Sequence, residues 1–182
     1  SLLGFEALIR WNHPSRGLVT PGEFIDTAES TGLMIPMTIQ VLRTACDQLT
    51  RWKRARLAPR SLIMSVNLSA SHLNQPNVVD QLNDIIVETG IDPSCLKLEI
   101  TESAVMGNAE AVIEVLKKIQ RLGVQLSIDD FGTGYSNLSY LHRFPIDTLK
   151  IDRSFVSTME EGSENGEIVR TVIALAKALR LS

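Results

Sequence analysis

Five short apolar runs, each followed by a stretch that is apolar along one helical face, constrain this chain most. The runs are GFEALIRW (4–11), SLIMSVNLS (61–69), CLKLEIT (95–101), VQLSID (124–129) and TLKID (148–152). They are rich in Val, Ile and Leu and mostly too continuous for strands with one solvated face, so they predict buried parallel strands. Across 36–54, Ile39, Leu42, Cys46, Leu49 and Trp52 recur at spacings of three and four, which makes one apolar stripe. Val79, Leu82, Ile85 and Ile86 make another, closed by Gly90 in a helix-stop position. Asn108 is placed to cap a third helix, whose Val112, Val115, Leu116, Ile119 and Leu122 face inward before Gly123. A last amphipathic run covers 168–179, and EEGSENGE (160–167) reads as a polar loop. Strand–helix alternation of this kind specifies an α/β fold around a parallel sheet. A doubly wound sheet and a (β/α)8 barrel both fit it.

The positions of the polar residues separate these two architectures. Asn67 follows LIMSV, Glu99 follows LKL, Asp129 and Asp130 follow LSI, and Lys150 lies in TLKID; Glu6 and Arg10 lie in the opening run. In a barrel, the C-terminal ends of all strands converge on one face. A doubly wound sheet concentrates its chemistry at one switch point. A lone Asp at a strand end is more often a turn former or helix cap, but recurrence at successive strand ends favours a shared bowl. Glu6, Asn67, Glu99, Asp129 and Asp130 gathered there would repel one another without a cation. Hard divalent ions such as Mg²⁺ and Mn²⁺ prefer such oxygen donors. A DD pair suits a two-metal site, one Asp bridging the ions and its neighbour binding the second, about 3.5–4 Å apart. The glycines after the pair allow a tight loop over the site.

Charge and cysteine content exclude other classes. A formal net charge of −3 gives no basis for binding duplex DNA, and no apolar run approaches a membrane span. Cys46 and Cys95 are isolated, which fits core filling in a reducing, cytoplasmic compartment. His13, His72 and His142 show no metal-ligand spacing and read as structural.

The motifs GFEALIRW, SVNLSA, LEITES, DDFGTGYSNLSYL and PIDTLKIDRSFV, in this order, resemble those of the EAL domain, a bacterial phosphodiesterase for cyclic di-GMP. The signature triplet is Glu6-Ala7-Leu8. The resemblance implies a (β/α)8 TIM-type barrel, incomplete in this chain, with residues 1–182 forming one EAL domain truncated at both ends. It further implies two Mg²⁺ or Mn²⁺ ions at the barrel mouth, inhibition by Ca²⁺, and hydrolysis of one phosphodiester of cyclic di-GMP to linear pGpG. Glu6, Asn67, Glu99 and Asp129 would hold the first ion, and Asp129 and Asp130 the second. Lys150 would hold and polarise the attacking water, placing it with Glu6 and Asp129 in the catalytic set. Arg10, Leu8 and Asp130 would meet the substrate, and Glu102 would steady the loop that carries Thr133 and Gly134. The family also implies a homodimer, and a setting in a larger cytoplasmic or membrane-anchored sensor. A non-catalytic cyclic di-GMP receptor and a pure interaction module are the alternatives. Retention of every metal-ligand type at the matched positions favours the enzyme.

Overall fold

A computed structural model describes residues 2–106, 109–133, 138–160 and 163–182. Five parallel strands form one sheet: β1 (Gly4–Ala7), β4 (Ile63–Asn67), β5 (Leu96–Thr101), β6 (Gln125–Phe131) and β7 (Thr148–Ile151), side by side in that order. Between β1 and β4 in the chain, β2 (Trp11–His13) and β3 (Gly17–Val19) make a separate antiparallel hairpin. The helices are α1 (Ile25–Ser30), α2 (Met34–Arg54), α3 (Ala70–Leu73), α4 (Val78–Thr89), α5 (Glu102–Met106), α6 (Ala109–Arg121), α7 (Leu138–Leu141), α8 (Arg153–Ser157) and α9 (Glu164–Ala178). Repeated strand–helix units and a curled parallel sheet make this a TIM-barrel-like half-barrel.

The strand sequences explain the layering. Successive side chains on a strand point to opposite faces. Leu96, Leu98 and Ile100 of β5, Leu126 and Ile128 of β6, and Met64 and Val66 of β4 are all buried on the outer face. There they join Leu42, Cys46 and Leu49 of α2, Leu82 and Ile85 of α4, and Val112, Leu116 and Ile119 of α6 in one core. Val115 and Leu122 pack at its margin. The expectation of near-continuous apolar strands is corrected here, because the inner face of each strand carries polar residues. Lys97, Glu99 and Thr101 alternate with the three buried apolar residues of β5.

Three boundaries also move. The chain leaves the sheet after Ala7, so Arg10 does not belong to the opening strand. Residues 164–167 are the first turn of α9 rather than loop. Ser163 accepts from the Gly166 N–H at 3.1 Å, and Glu164 and Glu167 stand where the helix dipole favours negative charge. Asn108 lies outside the described residues. Gly90 ends α4 as expected, at φ 64° with its N–H bonded to the Ile86 carbonyl. A Cβ on Gly4 would stand 2.5 Å from the Ile63 carbonyl oxygen, so only glycine lets β1 lie this close to β4. Among the described residues, no helix is long and apolar enough to cross a membrane.

Candidate active site

Glu6, Asn67, Glu99, Asp129 and Lys150 come from five different strands and meet at the C-terminal end of the sheet. Carboxylate oxygens of Glu6, Glu99 and Asp129 all lie within 4.8 Å of one another. Glu99 is 4% exposed at its side chain and Asp129 18%. Three carboxylates held this way would repel strongly, and the Lys150 ammonium sits among them. Its Nζ donates to Glu99 Oε2 at 2.6 Å and to Asp129 Oδ2 at 2.9 Å, with Glu6 Oε2 3.7 Å away. Burial disfavours this ammonium, but its hydrogen bonds and ion pairs with Glu99 and Asp129 outweigh that and hold it above the usual lysine range.

Asn67 Nδ2 donates to Glu6 Oε1 at 2.9 Å. Its own carbonyl oxygen has no hydrogen-bond partner among the described residues. Three carboxylates and this open amide oxygen make an all-oxygen donor set around a position already taken by a cationic group. That set fits a hard divalent ion.

The adjacent aspartates have a geometric explanation that strand alternation alone would deny. The pairing of β6 with β7 shifts register between Ile128 and Phe131, and Asp130 takes a left-handed backbone with φ 53°. A bulge of this sort re-aims one side chain. Asp129 stays on the inner face while Asp130 turns toward Asp152, which follows β7. Burial, then the charge of Asp129, then the hydrogen bond with Asp152 push the Asp130 carboxyl above its ordinary range. The Asp130 N–H itself donates to Asp129 Oδ1 at 3.0 Å.

The loop beyond the pair is tied down from beneath. Glu102, 2% exposed, accepts the Gly132 N–H at 2.9 Å through Oε2, and Thr133 Oγ1 donates to the Asp130 carbonyl at 2.9 Å. Gly132 has φ 101°, and a Cβ there would meet the Phe155 ring at 3.0 Å. Gly134 lies outside the described residues. Arg10 is not drawn into the carboxylate group; it is exposed and donates to its neighbour Ile9 O at 2.7 Å. Glu6, Leu8 and Arg10 line a cleft of about 1100 Å³ that wraps round the free edge of β1 toward Phe5, Trp11 and Trp52.

Asp152 is the residue that sequence reasoning passed over. It sits two positions after Lys150, a spacing that was available as a signal, and it also caps α8 by accepting the Ser154 N–H at 2.8 Å.

Comparison with known proteins fits this geometry. The bifunctional diguanylate cyclase/cyclic di-GMP phosphodiesterase MucR of Pseudomonas aeruginosa is 42% identical over 180 residues, which cover 99% of this chain and 26% of that protein. The cyclic di-GMP phosphodiesterase NbdA of the same species is 42% identical over 176 residues, 97% of this chain and 22% of the relative. The chain thus spans about a quarter of the length of these relatives. The solved PaMucR phosphodiesterase in complex with c-di-GMP superposes with a TM-score of 0.93 at 41% identity, covering 98% of this chain and 72% of that one. The family description "EAL domain" matches residues 1–182, and the acidic half-barrel described above belongs, with the whole of the chain, to the EAL family.

Proposed function

We propose that this domain hydrolyses cyclic di-GMP to linear pGpG with the help of two divalent cations, Mg²⁺ or Mn²⁺. The observation that carries this reading is the meeting of Glu6, Glu99 and Asp129 within 4.8 Å, around a lysine ammonium, at the strand ends. Glu6, Asn67, Glu99 and Asp129 would hold the first ion. Asp129, Asp130 and its neighbour Asp152 would hold the second. Bound there, the ions would activate water and stabilise charge on the attacking and leaving oxygens of the phosphodiester.

The protein's own groups supply the rest. The Lys150 ammonium, within hydrogen-bond reach of Glu99 and Asp129, would serve beside the bound ions as a hydrogen-bond donor and positive charge. It fits the task of orienting the nucleophilic water and steadying developing charge. Glu102 fixes the backbone beside Asp130 through Gly132, and Thr133 closes the same turn, so the second aspartate keeps its left-handed pose. Arg10 and Leu8 line the cleft beside Glu6, where a phosphate can meet the guanidinium and a base the apolar side chains.

The reading is tested by incubating the purified protein with cyclic di-GMP and Mn²⁺ and resolving the products by chromatography. Linear pGpG from the parent, lost in Glu6→Ala with the fold intact, is the expected result. Nucleotide binding without any turnover would make the domain a receptor instead.

A further inference from the structure

A second row of side chains lies beneath the carboxylates on the inner face of the half-barrel. Residues two apart on a strand share a face at about 7 Å. Lys97, Ser127 and Thr148 therefore stand one step below Glu99, Asp129 and Lys150. The upper row closes when Lys150 of β7 reaches across to Glu99 of β5 at 2.6 Å. The lower row closes in the opposite sense: Lys97 Nζ of β5 donates to Thr148 Oγ1 of β7 at 2.8 Å. Thr148 Oγ1 is in turn 2.9 Å from Ser182 Oγ. Ser127 Oγ, between the two strands, is fully buried with no hydrogen-bond partner among the described residues.

Lys97 is thus a half-buried cation whose direct partner is a neutral hydroxyl. It forms no ion pair among the described residues. An ordinary solvated lysine would extend its ammonium into water. This one is aimed across the inner face, under a group of three carboxylates. Resting on the reading of that group as a divalent-cation site, we infer that Lys97 is a positioning residue that sets the affinity of the site for its metal. Its charge steadies the carboxylates when no metal is bound and opposes the incoming dication. The site therefore binds metal more weakly, and exchanges it more readily, than its donor set alone would give.

The size of the effect follows from Coulomb's law. A unit charge one strand step away from a dication, on the order of 7–10 Å, in a water-like dielectric at about 50 mM salt changes affinity roughly two- to fourfold. Lys97→Gln removes the charge but keeps a donor for Thr148 Oγ1, and Lys97→Arg keeps the charge. Mn²⁺ affinity is measured by calorimetry at about 50 mM and 0.5 M salt, together with melting temperatures with and without Mn²⁺. Lys97→Gln should tighten Mn²⁺ binding by that factor at low salt, with the gap closing at high salt. It should also melt lower than the parent without metal and gain more from Mn²⁺. Lys97→Arg, and Lys118→Gln on the exposed face of α6, should bind like the parent. Unchanged affinity in Lys97→Gln, or the same melting loss with and without Mn²⁺, would overturn the inference and leave Lys97 a packing residue. A parent protein that binds no Mn²⁺ would overturn the metal-site reading beneath it.

Discussion

Replacing Lys150 with methionine removes the one cation that, among the described residues, pairs with Glu6, Glu99 and Asp129, while keeping most of the side chain's volume. Removing one partner of a fully buried ion pair costs about 3–5 kcal/mol, because the remaining charge has lost both water and counter-ion. Glu99 is nearly inaccessible, but the Lys150 side chain is 33% exposed and solvent screens part of the loss. A cost of about 2–3 kcal/mol is the discounted expectation. For a domain of this size it lowers the melting temperature by roughly 5–10 °C. Mn²⁺ should reverse it, since a ligand at about 100 times its dissociation constant stabilises the native state by about 2.7 kcal/mol. Calorimetric melts of parent and Lys150→Met, each with and without Mn²⁺, read the effect directly. Recovered stability without recovered hydrolysis would separate the lysine's electrostatic role from its role in the reaction. A metal-free variant that melts within about 1 °C of the parent, or one that Mn²⁺ leaves unmoved, would refute the claim that this ammonium offsets the carboxylates.

Other predictions rest on separate features. Buried His72, bonded through Nε2 to Gln81 at 2.9 Å and with no partner at Nδ1 among the described residues, is shifted downward by burial against the opposing Gln81 bond. The unfolded chain therefore takes up this proton first, so stability should fall as pH drops below about 6.5 and level off beneath the folded value; thermal melts of His72→Gln should lose that component. Burial pushes the Cys46 thiol up to about 12, and Cys95 is also buried. Neither should react with a thiol reagent at pH 8 until denaturant is added. Gly132→Ala should reduce hydrolysis and lower stability by about 1–3 kcal/mol, because a left-handed backbone and the Phe155 ring both oppose a Cβ there. Assays and melts of that variant check both effects.

The site was more legible in the sequence than the details of the strands that carry it. Asn67, Glu99, Asp129 and Lys150 could be found because an ionisable or amide group closing an apolar run stands out against a buried strand. Lys97 could not, because LKLEIT read as a nearly continuous apolar run. Its alternation becomes meaningful only once the inner face is known to be polar. Asp130 stands out in the sequence as the second member of a DD pair, but its geometry, a bulge with a left-handed residue, leaves no mark in an alternating pattern. Arg10 was assigned to the first strand because GFEALIRW stays apolar past Ala7. Exposed Leu8 and the hairpin beginning at Trp11 show that periodicity alone did not reveal where the sheet ends.

Diffraction at the manganese absorption edge from crystals grown with Mn²⁺ tests the central claim most directly. The account predicts anomalous density for one ion between Glu6, Asn67, Glu99 and Asp129 and for a second beside Asp129, Asp130 and Asp152. The Lys150 ammonium should then be displaced from the centre of the carboxylates. Manganese bound elsewhere, or Lys150 still bridging Glu99 and Asp129 at saturating metal, would contradict it.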